Sequence, residues 1–473
     1  MIMLCIYGNN IETMNLDNLK NFNIGFINPP SPFLIDQRVF MSLGILRVAT
    51  SLKKYTNKVF FLDLSNQNDY YLLLDDFIKK NSLDIICITA TTPQISLVFD
   101  FCKYIKLKYK LKIILGGPHI TLMNSSTHKA TKDIQEICSK HVKEVLKYVD
   151  TIVIGDGEFS IFNAILSNEK IINSELSTDL FLSNEKYDEI EIDRNFLDIN
   201  SYKYEIDGKK SINIISQMGC PYKCEFCSGR NSKSFNKIRH RSVENIIKEI
   251  DFLYKKYNYT GFMFYDDELN LNKTRFHELL IKLIEYQNKN SVDFNLRGFT
   301  RSDLLTDEQA KLMYEAGFRW LLVGFESGSD RILKNINKGC NVDDNTKCFD
   351  IARKNGLKVK ALMSVGHAGE SYNTIKDTIN WLQKVKPDET DTTIISVYPG
   401  SNYFNNSIKI SDDFLKFEKN GDNLYIRNID FLKNSNFYKS KIGSYVSFVH
   451  TDYLSEKQLV ECRDEIEKTS KNT

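Results

Sequence analysis

At 473 residues, with 42% hydrophobic and 26% charged residues, the chain has the composition of an ordinary globular protein of two or three domains. Its 63 basic and 61 acidic residues leave a formal charge of +2, which gives no global electrostatic case for nucleic acid or an anionic membrane. The opening MIMLCIYGNN is too short for a signal peptide or a span, and no later apolar run reaches membrane-crossing length. A cytoplasmic protein whose ten cysteines stay reduced is therefore expected.

In the N-terminal third, apolar runs alternate with helical patterns. Strands are expected at NIGFINPP (from Asn23), KVFFLDLS (58–65), DIICITATT (84–92), LKIILGGPH (111–119) and TIVIGDGE (151–158). Helices are expected at 42–55, 70–81 and 96–109, with a polar helical insert before the last strand. Strands that are apolar throughout and separated by helices predict a parallel, doubly wound sheet over 1–160. Ligands of such sheets sit beyond the carboxyl ends of the strands, where the glycines of this third are found. Thr89-Ala90-Thr91 at one strand end, followed by Gly116-Gly117 at the next, resembles the Ser/Thr…Gly-Gly pattern of cobalamin-binding domains. The resemblance implies a cobalamin site at Thr89, Thr91, Gly116, Gly117, His119, Gly155, Gly157 and Glu158. The D-x-H-x-x-G motif that supplies an axial histidine elsewhere is absent; His119 and His128 both lie outside that context.

Residues 161–210 are polar and acidic with a turn signal at Asp207-Gly208, and are expected to form a largely surface linker. The stretch that follows, SINIISQMGC PYKCEFCSGR (211–230), is the most informative of the chain. Cys220, Cys224 and Cys227 follow an apolar strand at C-x3-C-x2-C spacing. Thiolates suit iron–sulfur clusters, and three ligands for a four-iron cubane leave one iron open to a small molecule. A structural zinc site would call for a second C-x2-C pair, which is missing, and a disulfide framework does not suit a reduced compartment.

This motif, with the aromatic Phe226 just before the third cysteine, resembles the radical S-adenosylmethionine (SAM) superfamily. LGGPH and VIGDGE in the first domain are similar to its cobalamin-binding branch. The resemblance implies a [4Fe–4S] cluster on the three cysteines, with SAM on the open iron and reductively cleaved to a 5′-deoxyadenosyl radical.

From 211 to 401 about six βα units follow in a row, which predicts a partial (β/α)6 barrel with its site at the carboxyl ends of the strands. Thr306 is the expected N-cap of the helix at 306–317. At strand ends lie Asp266-Asp267-Glu268, Arg301 with Asp303, Glu326, and the loop of His367. Jointly they resemble the superfamily's D-D-x-F, R-x-D, G-x-E-S-G, G-x-x-G-E and P-Y-P-G-type motifs, with departures at DDEL, GHAGES and VYPGS. SAM contacts are expected from Phe226, Asp267, Arg301 for the carboxylate, and Glu326 for the ribose diol; Asp266 and Glu268 are further acidic candidates and His367 a weak general-base candidate. Cys87 and Cys102 are expected in the core, and Cys340 and Cys348 as surface thiols.

The extension 402–473 is rich in aromatics, including Phe414, Phe417, Tyr425, Phe431, Phe437, Tyr438, Tyr445, Phe448 and Tyr453, and ends in an amphipathic helix (454–470) capped by Ser455. The leading expectation is a cobalamin-dependent methyltransferase acting on an unactivated carbon, or phosphorus, of a small-molecule substrate. Its electron donor would be a flavodoxin or ferredoxin. Radical cyclisation or rearrangement without methyl transfer is the runner-up, and a non-catalytic iron–sulfur protein the alternative from another class.

Overall fold

The computed structural model describes residues 2–7, 10–434 and 445–471; Phe437 and Tyr438 lie outside them. Six parallel strands form the first sheet, in the spatial order Val59–Asp63, Ile24–Asn28, Ile85–Thr89, Lys112–Gly116, Thr151–Ile154 and Ile171–Asn173. The order reverses between Ile24–Asn28 and Ile85–Thr89, which is the switch point where doubly wound sheets open a ligand crevice. Helices Leu43–Lys53 and Gly157–Leu166 cover one face, and Tyr70–Lys80 and Ile95–Lys108 the other, each burying an apolar stripe.

Two features depart from the expected layout. Helix Gly157–Leu166 and the sixth strand carry the first sheet past residue 160, a strand too short (three residues) to leave a periodic signal. The segment expected as a surface linker is also pinned into the interior. Tyr187 is fully buried beneath the Arg47 guanidinium at 4.2 Å, and the buried Arg194 pairs with Glu249 at 2.8 Å. Buried guanidiniums need such partners, and Arg47 and Arg194 supply tethers that a polar composition conceals.

The central sheet has seven strands, in the order Glu389–Ile394, Lys358–Val365, Phe318–Glu326, Asn295–Thr300, Gly261–Phe264, Lys209–Ile214 and Tyr204–Ile206. All but the last pair in parallel; Tyr204–Ile206 is an antiparallel edge strand turning back from Lys209–Ile214. Each parallel strand is followed by a helix or loop that packs on the outer side, so the sheet curls into an open half-barrel with six parallel strands. The Thr306 side chain accepts from Gln309 N, as expected of the N-cap. The extension adds a four-stranded antiparallel sheet that the sequence reading did not anticipate: Ile408–Lys409, Phe414–Lys419, Asp422–Arg427 and Val449–Thr451. Helix Glu456–Lys471 closes the barrel edge. Among the described residues no helix is long and apolar enough to cross a membrane.

Candidate active site at the barrel mouth

The cysteine loop leaves strand Lys209–Ile214 through Gly219, whose φ of +89° favours glycine and where a Cβ would collide with the Lys237 carbonyl. Gly219 N donates to Asp267 Oδ2 at 2.7 Å, and Cys220 N to Phe235 O at 3.1 Å. Glu225 fixes the middle of the loop: its N donates to Ile336 O, its carbonyl accepts from Tyr403 N, and its carboxylate meets Lys419 at 2.7 Å. Arg230 Nε lies 3.2 Å from Cys227 Sγ, and its guanidinium also bonds the Cys220 carbonyl. Burial pushes the Cys220 thiol up to about 11, against the opposing pull of Arg230, and pushes Cys224 up as well. Thiolates at Cys220 and Cys224 therefore need a cationic partner such as metal. Among the described residues no three His, Cys, Asp or Glu side chains converge on a single-ion site. A cubane takes each thiolate on a different iron, so its ligands do not need to converge on one ion.

Behind the loop sits a nest of charge. Glu326 ends its strand in the left-handed region, at φ +67°, a strained conformation for a residue with a side chain. Its Oε1 accepts from Lys338 Nζ at 3.0 Å and its Oε2 from Ser364 Oγ at 2.7 Å. Burial works against the Glu326 carboxylate, yet Lys338 and the Ser364 hydroxyl hold it below the ordinary glutamate range. Ser364 Oγ also meets His367 Nε2 at 2.8 Å, and His367 Nδ1 meets Tyr403 OH at 3.1 Å. His367 is fully buried and lowered to about 4, so it is a neutral link in this chain. Arg301 is buried, stacks 3.6 Å above Tyr222 of the cysteine loop and pairs with Asp303 at 2.6 Å. Burial pushes the Glu268 carboxyl up to about 7, although Lys338 and Arg301 pull the other way, and its Oε2 has no hydrogen-bond partner.

A cavity of about 320 Å³ opens at the switch point of the first sheet. Thr89, Thr91, Gly116, Gly117, Gly155, Gly157 and Glu158 line it together with Met218, Ser234 and Phe235 of the central domain. Gly117, at φ +100°, has no room for a Cβ beside Thr89 Oγ1. Glu158 lies at the cavity wall but its carboxylate is engaged by Arg47 at 3.1 Å.

A family model of the radical SAM superfamily matches residues 214–382. Residues 214–382 of the central domain thus carry a radical SAM domain. An uncharacterized methyltransferase of Pyrococcus horikoshii is 26% identical over 389 residues, 81% of this chain and 82% of that protein. An anaerobic magnesium-protoporphyrin IX monomethyl ester cyclase of Rubrivivax gelatinosus is 23% identical over 373 residues, 74% of this chain and 63% of the relative. Among solved structures, the radical SAM methyltransferase TsrM of Kitasatospora setae, with cobalamin and a [4Fe–4S] cluster bound, superposes with a TM-score of 0.60. That match has 13% identity and covers 80% of this chain and 74% of TsrM.

Seven of the eight residues expected at a cobalamin site share one cavity, and His119 is the correction. It is fully buried, with Nδ1 3.1 Å from Thr92 Oγ1 and Nε2 3.0 Å from His141 Nε2, so it serves the interior behind Pro118. In the radical SAM domain, Asp267 braces the loop at Gly219, with a side chain 43% exposed, and the acid beside Arg301 and Lys338 is instead Glu268. Asp266 is occupied by the backbone amides of Ser216 and Gln217. Phe226 packs 5.4 Å from the His367 ring. Cys87 and Cys102 are in the core as expected, but so is Cys348; only Cys340 of that pair is partly exposed. Helix Val342–Lys354 turns Cys348 inward with Phe349 and Ala352. Lys338 and Ser364 escaped the sequence reading, since a single lysine or serine carries no motif.

Proposed function

We propose that the protein is a radical SAM enzyme, a cobalamin-dependent methyltransferase acting on an unactivated carbon, or phosphorus, of a small-molecule substrate. The observation that carries the reading is a shared wall: Phe235 lines the switch-point cavity and its carbonyl holds Cys220 N. Met218, on the same wall, is two residues from Cys220. Two cofactors that must face one substrate are thereby set side by side. The methyltransferase relative and the cobalamin-bound TsrM fold support it.

Cys220, Cys224 and Cys227 are the candidate cluster ligands, and the donor set fits a cluster with one iron left for SAM. Glu268 Oε2, a buried acceptor without a partner, suits the SAM amino group. Arg301 suits its carboxylate, and Glu326, pre-set by Lys338 and Ser364, its ribose hydroxyls. The cavity volume fits the nucleotide tail of a corrinoid rather than the whole molecule. Bound there, cluster, SAM and cobalamin would supply a deoxyadenosyl radical and a transferable methyl group. The protein's part is to exclude water, hold both cofactors and keep Glu326 ionised. A flavodoxin or ferredoxin is the proposed electron donor. The cyclase relative favours, as second reading, a radical conversion without methyl transfer.

The test is retention of hydroxocobalamin through desalting by anaerobically reconstituted protein, read by its visible spectrum, followed by tracing the label of methyl-deuterated SAM. Retained cobalamin that acquires the label is expected, and Gly117→Val should abolish retention. Protein that makes 5′-deoxyadenosine without retaining cobalamin would replace this reading by the second.

A further inference from the structure

Successive residues of the barrel strands face the outer helices and the open concave side in turn. Strand register places Met263, Arg297, Trp320 and Lys358 in one row across the concave side. Phe299, Leu322, Lys360 and Glu389 form the next row. Their chain neighbours Leu296, Leu321, Val359 and Ala361 are buried under the helices, whereas Arg297, Phe299, Lys360 and Glu389 remain partly exposed. The same face runs on through Leu362 to Ser364, the partner of Glu326. These rows lie on the concave side nearer the amino-terminal ends of the strands, below Glu326 at the end of its own strand.

Charge in these rows is unevenly matched. Arg297 and Lys360 reach the same oxygen, Glu389 Oε2, at 3.5 and 3.2 Å. Arg297 otherwise gives one long bond, 3.4 Å, to Tyr204 OH, and its buried Nε has no partner. Other buried guanidiniums in this protein are held more closely. Arg194 bonds Glu249 and the Asn213 carbonyl at 2.8 Å, and Arg239, although its Nε is likewise without a partner, bonds both oxygens of Asp156 at 2.7 Å; what sets Arg297 apart is the length of its bonds. Lys358, by contrast, is answered by Asp207 at 3.3 Å. Two cations sharing one carboxylate oxygen, with a guanidinium N–H left over, form a half-filled anion seat. It is already built around a carboxylate, that of Glu389, whose side chain is 42% exposed.

We infer that Arg297 and Lys360 bind a carboxylate of the substrate, whose apolar body lies along Phe299, Leu322 and Leu362 toward Glu326. The inference rests on the proposed function only in taking the concave side as the substrate chamber. Trp320 lies 5.1 Å beneath the Arg297 guanidinium and reports on the seat; the chain has two tryptophans, so Trp381→Phe leaves Trp320 as the sole emitter.

The experiment titrates full-length, cluster-reconstituted W381F protein with 3-phenylpropionate and, separately, with 3-phenylpropionamide, following Trp320 fluorescence. The acid is expected to bind roughly tenfold more tightly than the amide, the scale of one charge-assisted hydrogen bond. Arg297→Gln should erase the preference and Lys360→Gln reduce it. Glu389→Gln, which removes the competing carboxylate, should tighten the acid alone, an effect that misfolding does not mimic. Equal binding of acid and amide, binding of neither, or a preference that survives Arg297→Gln would overturn the seat. Formation of 5′-deoxyadenosine by the wild type is measured in parallel. Normal deoxyadenosine without acid preference removes the seat alone, and acid preference without deoxyadenosine removes the proposed reaction alone.

Discussion

Glu326 is held by Lys338 on one oxygen and Ser364 on the other, with 13% and 8% of the Glu326 and Lys338 side chains exposed. Removing one partner of a buried ion pair leaves the other charge without compensation, which costs about 3–5 kcal/mol. Lys338→Met is therefore expected to lower stability by about that amount in urea titrations, and to weaken SAM binding as the Glu326 carboxyl loses its stabilising cation. An unchanged midpoint would mean that Glu326 draws its stability from elsewhere. The carboxylate was legible in the sequence because it ends an apolar strand within a recognisable G-x-E-S-G pattern. Its partners were not, since Lys338 and Ser364 reach it from two other segments and only the folded barrel brings them together.

Among the elements, the helices Pro118–Lys129 and Lys132–Val145 are joined by the buried His119–His141 pair. Burial lowers His141 to about 4 and His119 well below its ordinary 6.5. The unfolded chain thus binds more protons than the folded one below pH 6.5. Stability is fully present above that pH and is lost as pH falls toward 4, by about 3 kcal/mol for His141 alone. His141→Asn should flatten the fall in stability between pH 6.5 and 4; an unaltered pH profile would contradict neutral imidazoles here. Helix Glu456–Lys471 instead covers the outermost barrel strand, where Glu467 accepts from Thr392 N and Arg463 donates to Thr392 O. Deleting residues 455–473 should uncover that edge and produce concentration-dependent self-association on gel filtration. A deletion variant that stays at the wild-type elution volume would show that the edge needs no cover. The antiparallel sheet of the extension did leave a sequence signal. Asn420-Gly421, both at positive φ, joins the alternating runs Phe414–Lys419 and Asp422–Arg427 as a hairpin turn. The continuous apolar strands of the two parallel sheets were more readable because burial on both faces removes polar residues altogether.

For the whole molecule, the decisive contact is the one that seats the first sheet against the radical SAM domain. Asp156, beside the cavity glycines, is bound by Arg239 of the central domain with both side chains at most 3% exposed. Burial raises the Asp156 carboxyl to about 6 in spite of Arg239. Arg239→Met should lose cobalamin retention and cost about 3–5 kcal/mol together, as one interface underlies both; loss of stability with normal retention would separate the cavity from the domain contact. Composition gave no sign of this coupling, because a neutral overall charge conceals where individual arginines are buried. The measurement that bears most directly on the central claim is 5′-deoxyadenosine released from SAM by anaerobically reconstituted protein under a low-potential reductant, with Cys224→Ala and Glu326→Gln beside it. Product from the wild type, none from Cys224→Ala, and a raised SAM requirement in Glu326→Gln are predicted. An intact cluster in the wild type without deoxyadenosine, or equal product from Cys224→Ala, would contradict radical SAM chemistry at this site.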